Sequence, residues 1–129
     1  MKNVLVTGGA GFIGSNFIHY LLNADDKVQV FDLDALTYAG SLENLKDLPD
    51  PQRHIFIKGD ITDQNFLNGL LPERQIDTIV HFAAESHVDR SILGPAQFMH
   101  TNIIGTFTLL EAARKYWLQD HDFSRDQIR

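Results

Sequence analysis

The feature that most constrains the fold is a set of glycines near the start of the chain. Gly8, Gly11 and Gly14 are spaced as Gly-x-x-Gly-x-x-Gly, directly after the apolar run 4–6 and before a segment, 12–22, with apolar residues at helical spacing. A strand, a glycine-rich turn and a helix in this order are typical of a dinucleotide-binding unit, because glycines permit the tight turn and let a pyrophosphate approach the backbone. No Gly-Lys-Ser or Gly-Lys-Thr follows, which excludes the phosphate loop of nucleoside triphosphatases. A glycine-rich turn without a ligand is the weaker alternative.

The rest of the sequence alternates between strand-like and helix-like segments. Strands are predicted over 4–6, 28–34, 55–57 and 78–82, and helices over 12–22, 41–48, 63–71 and 95–118. Such alternation indicates an α/β fold with a parallel sheet and right-handed crossovers, which is a partial doubly wound (Rossmann) sheet of about four strands. We therefore predict one half-domain over residues 1–118, followed by a polar, poorly ordered tail over 119–129.

Composition limits the partners that the chain can have. With 43% hydrophobic and 22% charged residues, the 129-residue chain is predicted to be globular, and its net charge of −6 disfavours nucleic acid as a partner. It contains no cysteine, so disulfides and thiolate metal sites are excluded, and its histidines show no metal-ligand spacing. No apolar run is long enough to cross a membrane and the start carries no leader pattern, so we expect a cytoplasmic protein without a membrane partner.

A dinucleotide site of this type needs an acidic residue about 20 residues after the glycines, where it accepts hydrogen bonds from a ribose. Asp32 and Asp34 are the candidates, and they lie on the same face of the predicted strand. We assign the role to Asp34, which is nearer the carboxyl end of the strand, and interpret Asp32 as a solvated carboxylate. The next residues, Ala35, Leu36 and Thr37, are not basic, which favours NAD over NADP.

Longer segments resemble one family of enzymes. These are DALTYAG at 34–40, AAESHVDRS at 83–91, TNIIGT at 101–106 and LEAAR at 110–114. Together they resemble the N-terminal part of dTDP-glucose 4,6-dehydratases, members of the extended short-chain dehydrogenase/reductase family, and the match extends over 1–118. The resemblance implies NAD as the cofactor and a dTDP-glucose-like nucleotide sugar as the substrate. Ala35 is a departure, because the family usually has lysine there, which puts one adenosine contact in doubt.

The resemblance also implies roles for individual residues. It places Phe12 and Ile13 at the pyrophosphate beside the glycines, Asp34, Leu36 and Thr37 at the adenosine ribose, Asp60 and Ile61 at the adenine, Phe82, Ala83, Ala84 and Ser86 at the nicotinamide, Thr101 at the cofactor from the long helix, and Ser86 and His87 at the substrate. From the residues alone, tight packing remains an alternative for Ala83 and Ala84, and a salt-bridged surface turn remains an equal alternative around His87. His81 is interpreted as a core histidine with hydrogen-bond partners.

The family's catalytic groups have no counterpart here. The resemblance implies a tyrosine base followed four residues later by lysine, but Tyr20, Tyr38 and Tyr116 are followed by Ala24, Leu42 and Asp120. The Asp–Glu pair that assists the loss of water is also absent. We therefore predict no catalytic residue in this chain, which corresponds to the NAD-binding front part of such an enzyme and is inactive alone.

Two alternatives to this function remain open, and one partner is expected. The chain could belong to another NAD-dependent nucleotide-sugar epimerase or decarboxylase, or it could be a non-catalytic NAD-binding remnant. We also expect self-association through the apolar helix after Pro95, since its neighbours and those of the fourth strand would be missing.

Overall fold

A computed structural model describes residues 1–37, 40–84 and 95–120. The strands are β1 (Asn3–Thr7), β2 (Gln29–Asp34), β3 (His54–Lys58) and β4 (Thr78–His81). The helices are α1 (Phe12–Ala24), α2 (Gln64–Glu73), α3 (Pro95–Met99) and α4 (Thr106–Arg114), with single 3₁₀ turns at Leu42–Leu45 and Pro51–Arg53. π-Helical turns at His100–Gly105 and Lys115–Asp120 follow α3 and α4, so that 95–120 forms one helical segment, called the long helix below.

The four strands form one parallel sheet in the order β3-β2-β1-β4. β1 lies in the middle, and its residues Val4, Leu5 and Val6 are fully buried because helices cover both faces of the sheet. All four strands end at the same edge, where the turn after β1 meets the loops after β2, β3 and β4. The predicted α/β class with a partial doubly wound sheet is confirmed.

Two apolar clusters hold the helices on opposite faces of the sheet. Ile18 and Leu22 of α1 pack on one face with Val30, whereas Leu67 of α2 packs on the other with Trp117 of the long helix. Because parallel strands require long crossovers, α1 and α2 each cover the sheet while they connect two strands. The sheet edge that carries the loops is thereby held rigidly from both sides.

The helix predicted over 41–48 is shorter in the structure. The structure has only the turn Leu42–Leu45 there, with the Ser41 hydroxyl accepting a hydrogen bond from the Glu43 amide at 3.2 Å. The turn ends at Lys46, whose backbone is extended with a φ of −68° and a ψ of 151°. Asp47 follows with a φ of +57°, and Leu48 packs in the α1 cluster.

The long helix exposes part of its apolar surface. Met99, Ile103, Phe107 and Leu110 recur at helical spacing, and each is more than half exposed. The helix continues through Asp120, beyond the predicted end at 118, and the tail over 121–129 lies outside the described residues. Within the described ranges, no helix combines the length and apolar character needed to cross a membrane.

Candidate functional site

A cleft of about 550 Å³ opens at the carboxyl edge of the sheet. The residues predicted for the cofactor that line it are Gly8, Gly11, Phe12, Ile13, Gly14, Asp34, Thr37, Asp60, Ile61, Phe82, Ala83, Ala84 and Thr101. Leu36 is not among the lining residues, and Ser86 and His87 lie outside the described part of the chain. One cleft therefore brings together residues from four loops and the long helix.

The turn between β1 and α1, and the start of the helix, need glycine where a Cβ would meet backbone atoms. Gly8 has a φ of +74°, and a Cβ there would lie 2.7 Å from the Ala83 nitrogen. A Cβ on Gly14 would overlap the Gly8 carbonyl oxygen, so this glycine lets α1 start directly against the turn. At Gly11 a Cβ would meet only the Gly8 carbonyl oxygen, at 3.3 Å. Gly11 is thus the glycine whose missing side chain leaves room on the cleft side.

The first turn of α1 presents unpaired backbone amides to this cleft. Gly11 is the residue before the helix, so no side chain accepts from the first-turn N–H groups, and no acidic residue occurs in that turn. Phe12 and Ile13 are 79% and 67% exposed at the mouth of the cleft. Free amides and the partial positive charge of a helix N-terminus suit an anionic group such as a pyrophosphate.

Asp34 stands at the end of β2 with its carboxylate fixed by the backbone. Oδ2 accepts a hydrogen bond from the Ala10 amide at 2.9 Å and Oδ1 accepts one from the Leu36 amide at 2.7 Å. Leu36 reaches this position with a φ of +54°, so it acts through its backbone and not as a lining side chain. A Cβ on Gly40 would lie 3.0 Å from Asp34 Oδ1. The carboxylate is therefore oriented at the cleft and retains acceptor capacity for hydroxyl groups.

The interpretation of Asp32 as a solvated carboxylate is wrong. Its side chain is fully buried, Oδ2 lies 3.0 Å from His54 Nε2, and a Cβ on Gly9 would overlap Oδ1. Asp32 points toward the α1 face of the sheet, where the turn after β1 covers it. Burial raises the pKa of Asp32, and the hydrogen bond with His54 opposes this only in part.

We expect the Asp32→Asn variant to gain stability over the wild type as the pH rises. Since the pKa of Asp32 is raised on folding, the folded chain binds this proton more tightly than the unfolded chain. Stability therefore falls as the pH rises from the unfolded pKa through the folded pKa, and asparagine removes that loss. Urea unfolding of both proteins from pH 4 to 8 measures the difference. Asp26→Asn, at an exposed site, should show no such trend, and a constant difference for Asp32→Asn would contradict the expectation.

His81, at the end of β4, has a partner for each ring nitrogen. Nδ1 lies 2.6 Å from Thr7 Oγ1 and Nε2 lies 3.0 Å from Thr106 Oγ1. Burial lowers the pKa of His81, which favours the neutral ring. The predicted hydrogen-bond partners are present, but His81 is only half-buried and belongs to neither apolar cluster, so it is not a core residue. The described residues bring together no three His, Asp or Glu side chains that could hold a metal ion.

Comparison with known proteins agrees with this geometry. The sequence profile of a family described as GDP-mannose 4,6 dehydratase matches residues 5–125. The chain belongs to this family. A dTDP-glucose 4,6-dehydratase of Xanthomonas campestris pv. campestris (strain B100) is 53% identical over 129 residues, which are 100% of this chain and 36% of that protein. The resemblance to the N-terminal part of dTDP-glucose 4,6-dehydratases is thereby confirmed.

Solved structures of nucleotide-sugar enzymes share the fold of this family member. The dTDP-glucose 4,6-dehydratase DesIV of Streptomyces venezuelae, with NAD and TYD bound, has a TM-score of 0.78 and 53% identity, with 87% of this chain and 35% of that chain covered. A UDP-glucose 4-epimerase of Thermotoga maritima, with UDP-glucose, has a TM-score of 0.78 and 35% identity, with 89% and 35% covered. The chain thus spans about a third of the length of these relatives.

Five residues that line the cleft were not predicted from the sequence. They are Leu33, Ala35, Gly40, Gly59 and Gln97. Gly59 could have been found, because it directly follows β3 and a glycine there indicates close approach of other groups. Gln97 could not, because only packing of the long helix brings it to the cleft.

No tyrosine among the described residues reaches the cleft. Tyr20 is 68% exposed on α1, whereas Tyr116 is buried in the core of the opposite face. Burial raises the pKa of Tyr116, which is the opposite of what a base at neutral pH requires. Tyr38 lies outside the described residues, and the absence of a catalytic residue from this chain stays a prediction.

Proposed function

We propose that this chain is the NAD-binding portion of an enzyme that dehydrates a dTDP-glucose-like nucleotide sugar to its 4-keto-6-deoxy form. The observation that carries the proposal is the pairing of two features at one cleft. Free amides at the start of α1 stand beside Gly11, and the Asp34 carboxylate is held by two backbone amides. The first feature suits a pyrophosphate and the second suits the hydroxyls of a ribose.

We propose an order for the parts of the cofactor along the cleft. We place the adenosine ribose at Asp34 with Thr37 beside it, and the adenine near Asp60 and Ile61. The pyrophosphate lies over the first turn of α1, where Gly11 provides space for it. The nicotinamide then lies toward Phe82, Ala83 and Ala84, with Thr101 opposite.

The residues that the sequence contains, and those that it lacks, decide which part of the reaction we assign to this chain. NAD, when bound, supplies the chemistry of accepting a hydride from the sugar and returning it. The residues of this chain bind and orient that cofactor. Since the sequence has no tyrosine followed four residues later by lysine, proton transfer at the sugar requires residues beyond these 129. The chain alone is proposed to bind NAD without converting a nucleotide sugar.

Replacement of Asp34 by asparagine is expected to weaken NAD binding roughly ten- to hundredfold, the effect of losing hydrogen bonds to a charged group. Isothermal titration of the purified chain with NAD measures this change. Asp26→Asn removes an exposed carboxylate away from the cleft and serves as the matched control. A wild-type chain that shows no NAD binding at millimolar concentration, or an unchanged affinity in Asp34→Asn, would contradict the proposal.

A NAD-dependent epimerase is the second candidate function. The observation in its favour is the epimerase of Thermotoga maritima, which matches the chain at the same TM-score as DesIV. Sequence identity favours the dehydratase, with 53% against 35% over a similar share of the chain. Since the cofactor cleft is shared by both classes, the NAD titration supports either one.

A second copy of this chain is the proposed partner of the exposed apolar face formed by Met99, Ile103, Phe107 and Leu110. A contiguous apolar stripe on a helix gains free energy when it is covered. We expect Phe107→Glu to lower the average mass measured by light scattering toward that of a monomer. Tyr20→Glu, at an equally exposed aromatic residue on α1, should leave the mass unchanged. A monomeric wild-type chain would refute self-association.

A further inference from the structure

The two hydrogen bonds of His81 connect three parts of the molecule. Thr7 is the last residue of β1 and pairs with His81 in the register of the sheet. Thr106 is the first residue of α4, in the long helix. The imidazole therefore joins the two strands at the carboxyl edge of the sheet to the helix that lies across from them.

All hydrogen bonds around a neutral His81 ring are satisfied when its proton is on Nε2. The Thr106 hydroxyl donates its single hydrogen to the Asn102 carbonyl oxygen at 2.8 Å, so it must accept from His81 Nε2–H. Nδ1 is then unprotonated and accepts from the Thr7 hydroxyl. The oxygen of Thr7 in turn accepts a hydrogen bond from the Ala83 amide at 3.3 Å. The hydrogen bonds thus run in one direction from Ala83 to the long helix.

Only the Ala83 end of this network lines the cleft, and its other end, the Asn102 carbonyl, belongs to the long helix. Ala83 lines the cleft directly, and Gln97 and Thr101 of the long helix line it from the other side. Thr7, His81 and Thr106 are not lining residues. They can therefore influence a ligand only by fixing the positions of residues that touch it.

We infer that His81 is a positioning residue, which holds the Ala83 peptide and the long helix at a fixed separation around the nicotinamide end of the cofactor. The inference rests on the proposed NAD function for the identity of the ligand. Two further contacts fix the same region. The Phe82 amide donates to the Thr7 carbonyl oxygen at 2.9 Å, and a Cβ on Gly105 would lie 2.6 Å from Ile61 Cδ1, so the helix already packs closely there. His81 adds a hydrogen-bonded link between β4 and the long helix to these contacts.

A purely structural role would affect all ligands of the cleft alike, whereas a positioning role is local. NAD occupies both ends of the cleft, but ADP has no nicotinamide riboside and occupies only the adenosine and phosphate end. Thr106→Val removes the acceptor of His81 Nε2–H without touching the cleft. We expect it to weaken NAD binding about tenfold, the effect of one hydrogen bond, and to leave ADP binding unchanged.

The chain provides a matched control and a rescue. Thr108 is also a threonine of α4 whose hydroxyl donates to the carbonyl four residues earlier, at 2.7 Å, but it has no bond to His81. Thr108→Val should leave both affinities unchanged, and Thr106→Ser should restore NAD binding. Equal weakening of NAD and ADP in Thr106→Val, or an equal effect of Thr108→Val, would overturn the inference.

The tautomer of His81 is measured independently by ¹⁵N NMR of the ligand-free wild-type chain. We expect a neutral ring with the proton on Nε2, and a changed Ala83 amide shift in Thr106→Val. If the wild-type chain binds NAD normally but its His81 ring carries the proton on Nδ1, the inference about His81 is overturned and the proposed function stands. A wild-type chain that binds neither NAD nor ADP would overturn the proposed function, and the positioning of the nicotinamide with it.

Discussion

Replacement of Trp117 by alanine is expected to lower the free energy of unfolding by about 3–5 kcal/mol. The indole is 7% exposed within the cluster between the sheet and the long helix. Its Nε1 donates to the Ile76 carbonyl oxygen at 2.7 Å, which joins the end of the long helix to the segment before β4. Alanine therefore leaves both a cavity and an unpaired buried carbonyl.

Urea unfolding followed by far-UV circular dichroism measures the effect, because Trp117 is the single tryptophan and its fluorescence disappears with it. Trp117→Phe retains most of the buried ring but loses the N–H group, so it should fall between the wild type and Trp117→Ala. Leu118→Ala changes an adjacent residue that is 65% exposed, and should stay within about 0.5 kcal/mol of the wild type. A loss below about 1 kcal/mol in Trp117→Ala would show that the long helix does not pack as described.

Strands and helices that are marked by a local apolar pattern were predicted well from the sequence. The strands β1 and β3 are short apolar runs, and α1 and α2 have apolar residues at helical spacing, so each was found within a few residues of its observed bounds. Asp63 caps α2, since its carboxylate accepts from the Phe66 amide at 3.1 Å. The extent of the helix at 41–48 was not predicted well, because a left-handed residue such as Asp47 has no sequence marker comparable to glycine.

Asp32 shows why burial of a polar group is hard to predict. Its position two residues before Asp34 gives the correct face of β2, but not what covers that face. The covering groups are Gly9 in the turn after β1 and His54 on β3, both distant in sequence. Likewise, the glycine spacing predicted the lining of the cleft near α1, whereas Gly40 and Gln97 reach it only through tertiary packing. The spacing of residues in the sequence therefore indicates which class of ligand binds. The residues that form the walls of the site become known only from the fold.

Replacement of Gly14 by alanine is expected to weaken NAD binding on the order of a hundredfold, because the cofactor would lose charge-assisted hydrogen bonds from displaced backbone amides. The added Cβ would overlap the Gly8 carbonyl oxygen and lie 2.9 Å from the Gly8 carbonyl carbon and from Gly9 Cα. These are all backbone atoms, so the clash cannot be relieved by rotating a side chain. Either the turn or the start of α1 must move, and both form the proposed pyrophosphate site.

Two further alanine variants separate this effect from a general loss of stability. A Cβ on Gly69, inside α2, meets nothing within 4 Å, so Gly69→Ala should stabilise the chain by about 0.5–1 kcal/mol and leave NAD binding unchanged. In Gly11→Ala the added Cβ meets only the Gly8 carbonyl oxygen, at 3.3 Å, so this variant should fold. Since Gly11 lines the cleft, we expect the same variant to bind NAD more weakly than the wild type. Titration with NAD and urea unfolding of all three variants give both quantities. Wild-type NAD affinity in Gly14→Ala would mean that the turn after β1 does not hold the pyrophosphate, since no arrangement of that turn accommodates the added carbon unchanged.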